Sequence, residues 1–182
     1  ARFPNDYRVY NNLAAVAYNK GDLGAMKEYT DKAATLNPSA PEINVNRALM
    51  ALAQGNAQVA ESYLGRGAGA DAYNETLGNL CIAKGNYSQA ETVFGGIYSN
   101  SAALAQILNK NYSAAAKTLA HMRNSNATTD YLSAILSART GDAGGVVENL
   151  RKAIAKDSSY AQRALNDMEF APYAGTVKSL FK

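Results

Sequence analysis

At 182 residues, with 47% hydrophobic and 18% charged, the chain can bury a continuous core and suits one compact domain or about five helical repeats. Its net charge of +3 comes from Lys and Arg scattered among Asp and Glu, a pattern that points neither to nucleic acid nor to a membrane surface. Cys81 is the only cysteine, which excludes an internal disulfide and a cysteine-built metal site, and no apolar run approaches the roughly 18 residues of a membrane span.

The chain opens on Ala1, without methionine and without a charged-then-apolar leader, as an excised or processed segment would. Pro4 stands 34 residues before Pro38, so Arg2-Phe3-Pro4 falls in the register that closes a preceding repeat. Next comes a helical pattern, then Gly21-Asp22, then a second helical pattern. The same order recurs at Gly55-Asn56, Gly85-Asn86 and Gly141-Asp142, and Lys110-Asn111 stands in for the fourth turn because Asn111-Tyr112-Ser113 repeats Asn86-Tyr87-Ser88. The five turns step by 34, 30, 25 and 31 residues. Each is followed by Asp or Asn, side chains that accept from the free amides opening a helix. No proline interrupts residues 42 to 171, as an all-helical array requires.

Two joints break the rhythm. Gly65-Arg66-Gly67-Ala68-Gly69 has the glycines of a phosphate loop, but such a loop follows a strand; here a helical pattern precedes it, so a short helix-to-helix connection is expected. The fourth unit is nine residues short of the first period. Gly95-Gly96 should stop the preceding helix, leaving a brief first helix over 101–108 and a pinch in the array. After the fifth unit, Asp157 can cap a helix running to about Leu165, and Met168, Phe170, Tyr173, Leu180 and Phe181 offer apolar anchors for a docked tail. Domain organisation is therefore an array over 1–157 and a capping helix with its tail over 158–182.

Leu77-Gly78-Asn79-Leu80-Cys81 followed by Gly85-Asn86-Tyr87, Ala90 and Phe94, together with Tyr10, Leu13, Gly21, Ala33 and Pro38, resembles the tetratricopeptide repeat. The resemblance covers nearly the whole chain and implies an all-α fold, a right-handed superhelix (solenoid) of about five helix-turn-helix units with a C-terminal capping helix. It also places Ala14, Gly78, Ala33 and Ala90 where paired helices cross. Met26, Thr30 and Cys81 depart from the family's pattern of small and aromatic residues.

The chemistry-bearing inventory is thin. Cys81 falls in a first helix and reads as a small core residue; His121 falls at the end of a second helix, where a cation suits the dipole. With nothing to bring them together, no catalytic residue, metal site or cofactor is expected. Arg151, Lys152, Lys156 and Arg163 cluster near the end of unit five, but they spread over several faces and lack a stacking platform, so nucleic acid is not an expected partner. The Asn-X-Ser/Thr matches at Asn74, Asn86, Asn111 and Asn126 are read as chance, two of these asparagines being helix caps.

First helices of a solenoid line its concave face. With Tyr10, Leu13, Ala14 and Ala17 packing inward, helical geometry turns Arg8, Asn11, Asn12, Tyr18 and Asn19 the other way. The matching positions in later units include Asn46 and Leu49, then Asn79 and Ile82, then Tyr131 and Arg139. Apart from Asn19, these residues are the candidate ligand-binding set. Asn12 and Asn46 share one place in successive units, and a carboxamide can hold a peptide backbone through both donor and acceptor. The clamp that related domains use on chaperone tails is missing, since Asn11, Ala15, Ala72 and Thr76 stand where the resemblance would require lysine, asparagine, lysine and arginine. The expected function is a non-enzymatic interaction module for a peptide or protein segment. The alternative is a bacterial envelope module contacting cell-wall or surface glycans, because the Ala- and Asn-rich composition resembles arrays on secreted or outer-membrane proteins of gram-negative bacteria. That alternative would set the chain in the periplasm or cell envelope.

Overall fold

The computed structural model describes residues 5–180, so Arg2-Phe3-Pro4 and Phe181 lie outside the described residues. Among the described residues there are twelve α-helices, one 3-10 helix and no strand: the fold is all-α. Two compact units divide the chain, Ala1–Phe94 and Gly95–Lys182. The first holds α1 (Tyr7–Asn19), α2 (Leu23–Leu36), α3 (Pro41–Ala53), α4 (Ala57–Leu64), α5 (Tyr73–Ala83) and α6 (Tyr87–Phe94). The second holds α7 (Asn100–Leu108), α8 (Tyr112–Ala120), α9 (Ala127–Thr140), α10 (Ala143–Lys156), α11 (Ser159–Asn166), a 3-10 helix (Met168–Tyr173) and α12 (Ala174–Ser179).

Local chemistry explains the hairpins. Gly21, Gly55, Gly85 and Gly141 take φ of 74°, 75°, 77° and 82°, and Lys110 takes 62°, the left-handed conformation that ends a helix. The residue after each then serves two helices at once. Its backbone N–H closes the first helix five residues back, as Asp22 N–H does to the Ala17 carbonyl at 3.0 Å and Asn56 N–H to that of Ala51 at 2.8 Å; Asn86, Asn111 and Asp142 repeat the bond. At four of the turns its side chain caps the second helix: Asp22 accepts from Ala25 N–H at 2.9 Å, and Asn56, Asn111 and Asp142 accept likewise.

Packing follows sequence order. In the first unit α1, α3 and α5 pair with α2, α4 and α6, while α3 also touches both α1 and α5. Ala14, Ala33 and Ala90 are fully buried, and a Cβ added to Gly78 would overlap the Phe94 ring. Met26 and Thr30 are fully buried as well, the threonine hydroxyl donating to the Met26 carbonyl at 2.7 Å. The glycines of 65–69 link α4 to α5, with Asn44 Nδ2 donating to the Arg66 carbonyl at 3.3 Å.

The break between units falls where the spacing shortens. Gly95 has φ 54° just after α6, and Ser99 caps a nine-residue α7 by accepting from Ala102 N–H at 3.1 Å. In the second unit the core gathers Ile107, Tyr131, Leu150, Tyr160, Phe170 and Val177. The C-terminal segment shares that core. Phe170 and Tyr173 anchor it, with Leu180 packed at the edge. Met168, expected among the anchors, is 82% exposed: at three residues per 3-10 turn, Phe170 and Tyr173 share a face that Met168 does not.

Two substitutions test this packing. Gly78→Ala should cost about 1 to 3 kcal/mol by overpacking against Phe94, read as a lower urea midpoint. Lys110→Gly should raise the midpoint by about 1 kcal/mol, because glycine holds a left-handed backbone without the Cβ penalty.

Candidate interaction face

In the first unit, α1, α3 and α5 lie side by side and carry most of the expected binding set. Arg8 is exposed and its guanidinium forks onto Asp6, the residue capping α1, with Nη2 2.7 Å from the carboxylate. That contact holds the Asp6 carboxyl below its usual range. Asn12 is exposed, while Asn11, Tyr18, Leu49, Asn79 and Ile82 are half-buried. Burial, with the Glu75 carboxylate nearby, pushes the Tyr18 phenol up. Leu49 packs into the clusters on both sides of α3.

Asn46 departs from expectation. It is buried, and its Nδ2 donates to Asn11 Oδ1 at 2.8 Å. Here the carboxamide staples α3 to α1, so Asn12, not Asn46, offers the open amide at that position. Thr76 turns inward too, its hydroxyl donating to the Ala72 carbonyl at 2.9 Å.

In the second unit the corresponding face of α9 is already covered. Tyr131 is 1% exposed, with its hydroxyl donating to Asp167 Oδ2 at 2.6 Å and its ring edge-on to Phe170 at 5.6 Å. Arg139 pairs with Glu169, Nε donating to Oε2 at 2.8 Å, and also donates to the Ile107 carbonyl at 2.9 Å. Tyr173 donates to the Ala138 carbonyl. Tyr131 is therefore closed to an external ligand and Arg139, still partly exposed, is engaged within the chain: residues 167–173 lie against both. The sequence showed that this segment was apolar enough to dock; it did not show where. Asp167 and Glu169 are the residues that reading missed, and their spacing of two, opposite a Tyr and an Arg eight apart, was the available signal.

The remaining chemistry-bearing groups stay separate. Cys81 is buried in α5, where burial pushes its thiol up. His121 ends α8. Lys152 pairs with Glu148, Lys156 with Asp130, and Arg163 lies over the rings of Tyr131 and Tyr160, so most of the basic cluster is taken up within the unit. Among the described residues no three His, Cys, Asp or Glu side chains are grouped as a metal site would need, and no helix is long and apolar enough to cross a membrane. No protein-family model matches the chain, nor does any curated protein.

Burial and the bond to Asp167 push the Tyr131 phenol well above the ordinary value of about 10. The folded state keeps this proton where the unfolded chain releases it, so stability should fall as pH rises past about 10. Tyr131→Phe should cost about 1 kcal/mol near neutrality and flatten that alkaline fall; thermal melts of both proteins between pH 8 and pH 11 check it.

Proposed function

We propose that the chain is a non-enzymatic interaction module of the tetratricopeptide type, whose first unit holds an extended peptide on the α1–α3–α5 face. Support comes from the second unit, where a first-helix face grips a segment of polypeptide through a Tyr-to-carboxylate bond, an Arg–Glu pair and a buried Phe. Counted back from their turns, Tyr131, Ala138 and Arg139 stand where α1 has Asn11, Tyr18 and Asn19. Among the described residues no such segment covers those positions in α1, which are half-buried or exposed.

The first unit's version of the face is richer in amides than in charge. Asn12, Asn19 and Asn79 can each donate to a backbone carbonyl and accept from a backbone N–H, which suits a ligand recognised by its main chain. Leu49 and Ile82 supply apolar contact beside them. Affinity in this arrangement comes from desolvated amide pairs and a few apolar anchors, with little dependence on salt.

Panning a random peptide library on the chain tests the reading. Captured peptides should bind Asn12→Ala/Asn79→Ala more weakly by about 1 to 3 kcal/mol, and Tyr18→Ala should weaken them further. Peptides that tolerate all three changes and depend on the outward sides of α2 and α4 would move the site and refute the proposal.

A further inference from the structure

The shortened fourth unit leaves one aromatic side chain out of place. Tyr98 stands twelve residues before its turn at Lys110, as Ile43 and Thr129 do before Gly55 and Gly141. Those two are buried, whereas Tyr98 is 45% exposed, with Ile97 beside it at 42%. It lies ahead of α7, and its ring stacks on His121 at the end of α8, centroids 5.1 Å apart and planes 21° from parallel. His121 Nδ1 is 2.8 Å from the Lys117 carbonyl oxygen. A carbonyl only accepts, so Nδ1 carries the proton.

Beside this stack is an open cavity of about 360 Å³ lined by Tyr98, His121, Met122, Arg123 and Asn124. Among the described residues, no hydrogen bond or ion pair engages the Tyr98 hydroxyl, the Arg123 guanidinium or the Asn124 carboxamide. One aromatic platform, one guanidinium, and two groups able to donate and accept hydrogen bonds thus surround a space at the low end of the small-ligand range.

We propose that this cavity is a binding site for a carboxylate-bearing sugar ring, the hexuronic acid unit of an acidic polysaccharide. The C–H face of the pyranose lies on Tyr98, which His121 backs and holds flat. Arg123 takes the carboxylate, for which a single guanidinium is a matched bidentate partner. Asn124 and the Tyr98 hydroxyl answer ring hydroxyls, which both donate and accept. A nucleic-acid strand would need a track of cations along its phosphates, and the cavity lining offers Arg123 alone. The site uses none of the residues assigned to the peptide face, so each proposal can fail without the other.

The test is an amide-shift NMR titration of the whole chain with trigalacturonate, alongside neutral maltotriose and a short oligothymidylate. Trigalacturonate should shift Tyr98 and residues 121–124, and maltotriose should do so more weakly. Tyr98→Ala and Arg123→Gln should each weaken the sugar about tenfold, a loss of about 1.4 kcal/mol, with unchanged melting temperatures because both side chains are exposed. Tyr98→Phe should keep most of the affinity. Absence of shifts at these residues at millimolar trigalacturonate, or equal response to the neutral sugar, or shifts with the oligonucleotide alone, would each overturn the proposal.

Discussion

Everything in this fold hangs on a single residue's worth of left-handed backbone, used five times. At each such point the chain leaves one helix and enters the next within two residues, and the second of those residues satisfies an orphan carbonyl behind it with its N–H. At four of the five its side chain also satisfies an orphan amide ahead. Closing both helices in so little chain forces them back against each other. Small side chains at the crossing then become necessary, which is why Ala14, Ala33 and Ala90 carry no exposed surface.

The two units spend their first-helix faces differently. The second turns inward upon itself: a tyrosine, an arginine and a backbone carbonyl of α9 receive residues 167–173, and a phenylalanine completes the core. In the first, the Asn11–Asn46 staple joins neighbouring helices across their edge while polar and aromatic groups remain accessible. An amide bond at that point fixes the lateral spacing of α1 and α3 without filling the surface they present.

What could be read from the sequence was what is decided locally. A glycine with Asp or Asn after it specifies a turn and a cap by the chemistry of two residues, so all five hairpins were legible, including the one where Lys110 replaces glycine. Helix-face geometry also separated Tyr10, Ala14 and Ala17 from Asn12 and Asn19, but Leu13, expected to pack inward with the first three, is 37% exposed. It failed where burial depended on distant chain. Tyr131 occupies a face that periodicity turns outward, yet residues 36 positions later cover it, and Asn46 is claimed by a partner 35 positions earlier. Tyr98 was invisible for the opposite reason: the same register holds buried Ile43 and Thr129, yet Tyr98 lies ahead of the short α7 and stays 45% exposed.

The sequence-order packing of the helices also bears on how the chain reaches its native state. Every well-populated helix contact among the described residues joins elements that are neighbours or next neighbours along the chain, apart from that of α9 with the 3-10 helix. Such topology closes short loops first and carries little entropic cost per contact, which favours rapid folding by hairpin-sized steps. The exception is the docking of residues 167–173 on α9, a closure over some three dozen residues that can form only after α9, α10 and α11 are in place. By loop length, docking of this segment is the latest closure expected in the second unit and its release the earliest opening.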